Sequence, residues 1–177
     1  EAPLPGDPGA ETAEVRARLQ SLGYLSGSTP RKARYTGGDD PKRLIDVDRL
    51  MMQGIDLHLA GRSREALEAY RRVVDRRPDM GLAYTRLAFI QWELGATGDA
   101  IATLRGALQK MGPDIDIEIR LGTYLAEAGE PAEAIPMLER ATAASPENKD
   151  GLNALGIAYA GAGREANALA TFGRILA

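Results

Sequence analysis

The sequence predicts an all-α protein built as a solenoid of about four stacked helix pairs. Three observations carry that prediction. Gly61, Gly95, Gly129 and Gly163 recur at intervals of 34 residues, and Ala66, Ala100, Ala134 and Ala168 recur at the same interval. Within each half-unit apolar residues return at three and four positions, the spacing of an amphipathic helix. No segment carries a strand pattern.

The repeat has further fixed positions. Tyr70, Leu104, Leu138 and Phe172 stand four residues after the alanines, followed by Val73, Ala107, Ala141 and Ile175. Upstream of the glycines come the steps Gln53-Gly54, Leu87-Ala88, Leu121-Gly122 and Leu155-Gly156. Each glycine is expected to end a leading helix in a left-handed turn, a conformation that costs little only for glycine. The alanines mark a close helix crossing, and the large side chains after them are expected to fill the gap to the next unit. Pro78, Gly112-Pro113 and Pro146 stop the trailing helices. This pattern resembles the tetratricopeptide repeat (TPR). The resemblance implies a right-handed superhelical solenoid of TPR helix pairs, with units 47–80, 81–114, 115–148 and 149–177. One helix pair cannot bury its apolar face alone, so stacking supplies the core.

Residues 1–46 differ. The proline- and glycine-rich start, Glu1 to Ala10, reads as extended or disordered. Val15, Leu19 and Leu22 have helical spacing, so a short helix is expected over 11–22, capped by Gly23, with a polar linker after it. Asp40-Pro41 is a helix start, placing the beginning of the first TPR helix near Pro41. The stretch Val15 to Leu25, with its Leu22-Gly23-Tyr24-Leu25 step, resembles the end of sulfatase catalytic domains. Some bacterial sulfatase-like proteins continue through an Asp-Pro-Lys turn, here Asp40-Pro41-Lys42, into TPR units. That resemblance implies a non-catalytic C-terminal part of a sulfatase-like hydrolase, serving assembly or placement in the periplasm or outside the cell. The sulfatase nucleophile motif is absent. Its nearest string, Ser28-Thr29-Pro30-Arg31-Lys32, has arginine where serine belongs and lysine where arginine belongs. The start at Glu1 without methionine reads as a piece of a longer protein.

Composition narrows the function. Hydrophobic residues are 44% and charged residues 27% of 177, with a net charge of −3. No segment has the positive excess that nucleic acid or an anionic membrane requires, so neither is an expected partner. No apolar run approaches the ~18 residues of a membrane span. The absence of cysteine removes disulfides, thiolate metal sites and cysteine nucleophiles, and His58 is the single histidine. Asp114, Asp116 and Glu118 read as first-turn carboxylates favoured by the helix dipole rather than as a metal site. Gly161-Ala162-Gly163 matches no nucleotide fingerprint and reads as turn chemistry. No catalytic residue, metal site or cofactor is expected, and the chain does not read as an enzyme.

What remains is the concave face formed by the leading helices, expected to bind a protein or peptide. Met52, Ile55, His58, Arg86, Phe89, Trp92, Arg120, Thr123 and Asn153 are its candidate residues, together with Met51, Leu59, Thr85, Ile119 and Ile157. Arg86 and Arg120 are 34 apart, so they share a face on neighbouring helices ~10 Å apart. Two guanidinium groups beside Phe89 and Trp92 suit a carboxylate-bearing extended peptide. The lysine–asparagine–arginine clamp of chaperone-cofactor TPR proteins is not matched, because lysine is missing from these positions. Two alternatives stay open. Arg86 and Arg120 are equally suited to pair with Glu93 and Glu127, and Trp92 to replace the aromatic expected at Gln91, which makes it core. The last helix carries Leu169, Phe172, Ile175 and Leu176. This end is expected to be covered by a second copy, giving a homo-oligomer, by the helix near Val15 and Leu19, or by further sequence.

Overall fold

The computed structural model describes residues 41–176, with side chains from Leu44 onward. The helix expected over 11–22, the linker and the Asp40 cap lie outside the described residues, as does the Leu22-Gly23-Tyr24-Leu25 step. Among the described residues there are eight helices and no strand. They are α1 (Pro41–Leu59), α2 (Ser63–Arg76), α3 (Gly81–Glu93), α4 (Thr97–Met111), α5 (Ile115–Glu127), α6 (Pro131–Ala144), α7 (Lys149–Gly161) and α8 (Glu165–Leu176). Each leading helix packs on its trailing partner, each trailing helix packs on the next leading helix, and α5 also touches both α3 and α7. This is the all-α solenoid that the repeat predicts. Helix α1 starts at Pro41, so it runs through position 46/47, where the repeat register alone begins its first unit.

The four turn glycines do what their register implies. Gly61, Gly95, Gly129 and Gly163 have φ of 73, 78, 83 and 72°. That left-handed step lets the next amide reach back over the helix end. Arg62 N–H donates to Leu57 O, Ala96 to Gln91 O, Glu130 to Leu125 O and Arg164 to Tyr159 O, at 2.8 to 2.9 Å. The trailing helices end at Arg76, Met111 and Ala144, just before Pro78, Gly112-Pro113 and Pro146.

The repeat alanines lie where helices cross: Ala66, Ala100 and Ala134 are 0% exposed and Ala168 is 4% exposed. The large residue four positions later was expected to fill the gap to the next unit. In three units it also presses on a glycine of its own leading helix. Tyr70 lies against Gly54, Leu138 against Gly122 and Phe172 against Gly156. In these three units the glycine of the paired step leaves the room that the large side chain fills. Leu104 and Leu138 are completely buried, each stabilising the fold by roughly 1.5–3 kcal/mol.

The carboxylate run also resolves as local structure. Asp114 caps α5, its Oδ1 accepting from Ile117 N–H at 3.0 Å, and Asp116 and Glu118 occupy the first turn. Among the described residues no group of three or more histidine or carboxylate side chains converges as a metal site would. No described helix is long and apolar enough to cross a membrane.

At the C-terminal end, Leu169 is 73% and Leu176 89% exposed, whereas their 34-residue counterparts Ile135 and Thr142 are 6% and 3% exposed. Phe172 and Ile175, also expected to stand open, are half-buried, Phe172 against Gly156 of its own unit.

Candidate functional site

The leading helices α3, α5 and α7 line one groove of about 460 Å³. Helix α3 contributes Leu82, Thr85, Arg86 and Phe89. Helix α5 contributes Asp116, Ile119, Arg120 and Thr123. The N-terminal half of α7 adds Asp150, Asn153 and Ala154, with Asn148 from the turn before it. The 34-residue register puts these side chains in rows: Arg86 lines up with Arg120, and Asp116 with Asp150.

The groove chemistry is set by which groups are already engaged. Thr85 Oγ1 donates to Leu82 O at 2.9 Å and Thr123 Oγ1 to Ile119 O at 2.8 Å, so both hydroxyl protons are held by their own helix. Asn148 Oδ1 caps α7 by accepting from Gly151 N–H at 2.9 Å. Asn153 is exposed and makes no hydrogen bond with a described residue. Arg86 and Arg120 are exposed, and neither forms an ion pair with a described residue. Their expected partners are elsewhere. Glu93 Oε2 lies 3.4 Å from His58 Nδ1, and Glu127 stays apart from both arginines. Arg120 lies over an aromatic ring: its guanidinium carbon is 6.0 Å from the Tyr124 ring centroid. Burial holds the Tyr124 phenol above the ordinary tyrosine range, and nearby Arg120 opposes that shift. Arg86 acts in the same sense on the buried Tyr70.

Of the candidate residues read from the sequence, the structure brings together Arg86, Phe89, Arg120, Thr123 and Asn153, with Thr85 and Ile119. His58 stands at the rim, its ring edge-on to Phe89 at 5.5 Å and 82°. Ile55 is half-buried in α1, outside the groove lining. Met52 lines a separate depression with Arg49, Gln53 and Asp56. Met51 is 8% exposed and belongs to the core. Trp92 also leaves the groove, for it stacks on Tyr124 and packs against the core. The position of the expected aromatic, Gln91, is itself 6% exposed, and its Oε1 accepts from Thr103 Oγ1 at 2.8 Å. Leu82, Asp116, Asn148, Asp150 and Ala154 were missed. Their signal was available for the two aspartates, which are 34 apart and one helical turn before the arginine row.

A sequence model of the tetratricopeptide repeat matches residues 51–114 and 119–177. The chain belongs to the tetratricopeptide repeat family. Solved TPR-type structures share its fold. MamA from Desulfovibrio magneticus RS-1, from its residue 41 onward, superposes with a TM-score of 0.65 at 18% identity, covering 73% of each chain. A tetratricopeptide repeat protein from Parabacteroides merdae ATCC 43184 gives 0.63 at 21% identity, over 75% of this chain and 53% of that one. YrrB, described as a TPR protein with an unusual peptide-binding site, gives 0.60 at 19% identity, over 78% and 74%. At these identities the likeness is one of TPR fold.

Proposed function

We propose that the chain is a non-catalytic protein-interaction module whose concave groove receives a peptide or protein segment. The observation that carries this reading is the pair Arg86 and Arg120. Two exposed guanidinium groups line one groove beside the half-buried Phe89 ring, and no described carboxylate pairs with either. Guanidinium groups so placed offer charge-assisted hydrogen bonds to a carboxylate, and the ring offers apolar area next to it. The peptide-binding site ascribed to YrrB, which shares the fold, supports a peptide as the ligand class. Nothing in the groove is arranged for bond-breaking chemistry.

A decapeptide library displayed on phage and selected on the chain tests this. Selected peptides, measured by calorimetry, should lose affinity in Arg86→Ala/Arg120→Ala. They should keep it in Arg71→Ala/Arg72→Ala on the trailing helix α2. Equal losses in the two variants, or no selected peptide at all, would remove the groove as the site.

The second reading, a non-catalytic part of a sulfatase-like hydrolase, rests on residues 15–25 and Asp40-Pro41-Lys42 alone. The matched family begins at residue 51, and no comparison supports that parent.

A further inference from the structure

The groove holds charges of both signs, and they do not neutralise each other. Arg86 and Arg120 face it from α3 and α5, and Asp116 and Asp150 face it from α5 and α7. None of the four forms an ion pair with a described residue. Elsewhere on the described surface some charges are paired and others, such as Arg64, Arg72 and Arg174, are not. Arg62 pairs with Glu65, Arg71 with Glu68, and Arg105 with Glu133. Asp116 and Arg120 are even four apart on one helix, the spacing at which such pairs form most readily, and they stay separate.

The arrangement has a definite geometry. The arginine row and the aspartate row are offset by one helical turn, ~6 Å along the helix axes. The midpoint of the arginine pair lies between α3 and α5, and that of the aspartate pair between α5 and α7. Across the helices the two midpoints are therefore one helix spacing apart, ~10 Å. An extended chain crossing the helices advances ~3.3 Å per residue and turns successive side chains to opposite sides. Three residues cover that spacing. Three is also odd, so the two side chains point to opposite sides of the strand, one towards each row. Resting on the reading that the groove takes a peptide, we propose that it selects an extended segment with an acidic and a basic side chain three positions apart. Arg86 and Arg120 hold the acidic side chain, and Asp116 and Asp150 hold the basic one.

The probes are capped decapeptides of one composition, each with a single Glu and a single Lys in a serine, glycine and tyrosine background. Their Glu–Lys separations are one, two, three and six residues, in both orders. Affinity is read from chemical-shift titration of the isotope-labelled chain. One of the two separation-three peptides should bind about fivefold more tightly than the separation-two peptides, in which only one charge reaches its row. Asp116→Asn/Asp150→Asn should erase that preference and leave the binding that depends on the arginines. Both substitutions are on exposed side chains, and unchanged thermal midpoints confirm that the variants fold. Equal affinity at all separations, with binding still weakened by Arg86→Ala/Arg120→Ala, overturns the spacing rule and leaves the groove reading standing. Binding indifferent to both double variants, or absent for every probe at millimolar concentration, overturns the spacing rule. Indifference to both variants also counts against the groove.

Discussion

The Trp92 indole lies flat on the Tyr124 ring, with centroids 4.1 Å apart and planes 7° from parallel. The stack joins α3 to α5 directly beneath Arg120, whose guanidinium carbon is 6.0 Å from the same tyrosine ring. Trp92→Ala removes the stack and opens a void between two leading helices. The variant should lose ~3 kcal/mol of stability, and Trp92→Phe distinctly less. Urea denaturation followed by circular dichroism measures both, since Trp92 is the only tryptophan and its fluorescence is lost with it.

That stack also marks the limit of what the sequence discloses. A 34-residue register reports which positions are equivalent, so the helices, the turn glycines and the buried alanines were legible. The register does not report where a particular side chain turns. Trp92 shares its row with His58 and Ala126, which say nothing about an indole, and only the proximity of Tyr124 makes it core. Charge partners were illegible for the same reason. Glu93 lies within reach of His58 across a unit boundary, and no period in the sequence encodes that choice. Asp116 was legible as a first-turn carboxylate, and its second role as a groove wall needed the neighbouring row.

The alanine crossing gives a paired test. Ala134 is 0% exposed between α5 and α6, while Ala143 is on the outer side of α6. Ala134→Leu must push two helices apart and should cost ~1–3 kcal/mol more than Ala143→Leu. Thermal unfolding of the two variants side by side reads the difference. Equal shifts would contradict the register of the whole repeat.

The helical glycines separate into two kinds. A Cβ at Gly122 would sit 2.5 Å from Leu138 Cγ, and one at Gly156 would collide with Phe172 Cε1. A Cβ at Gly106, inside α4, meets nothing within 4 Å. Gly106→Ala should therefore stabilise the chain by ~0.5–1 kcal/mol through helix propensity. Gly122→Ala should destabilise it, because the branch point of Leu138 has no room to move. The sign of each change in denaturation midpoint is the test.

Alkaline pH should unfold this protein through its tyrosines. Burial holds the phenols of Tyr70, Tyr124 and Tyr159 above the usual value of 10.0. For Tyr159 the hydrogen bond to Glu139 Oε1, at 2.5 Å, raises it further. A raised tyrosine pKa means that the fold favours the neutral phenol. The stability it represents is complete below the unfolded value and is lost as pH rises through the folded one. Urea midpoints should thus be level to about pH 9 and fall steeply above about pH 10. Tyr124→Phe should flatten that fall. It should cost little near neutrality, since the buried Tyr124 Oη has no well-aligned hydrogen-bond partner.

The two ends of the solenoid are built differently, and the difference predicts how the chain behaves at high concentration. Gly151 in α7 is buried where a Cβ would meet Ile119 and Thr142 of the unit before it, and its 34-residue counterparts Ala83 and Ile117 are buried too. In α1 that position is Arg49. The buried rows Leu87, Leu121, Leu155 and Ile90, Tyr124, Ala158 begin in α1 with Gln53 and Asp56, both exposed. Helix α1 therefore presents polar groups where later leading helices present apolar ones, as the first unit of a stack requires. Helix α8 has no such exchange. Leu169 and Leu176 keep the apolar character of interior positions and remain 73% and 89% exposed. Apolar area of this kind favours self-association, and the polar face of α1 makes head-to-tail stacking a poor match for it. Light scattering over a concentration series should show a mass that rises with concentration. Leu169→Lys/Leu176→Lys should abolish the rise with a stability change within ~0.5 kcal/mol, because both side chains already face water. Met52→Lys/Leu59→Lys, on α1, should leave it intact. A wild-type chain that stays monomeric throughout would exclude a second copy as the cover for this end.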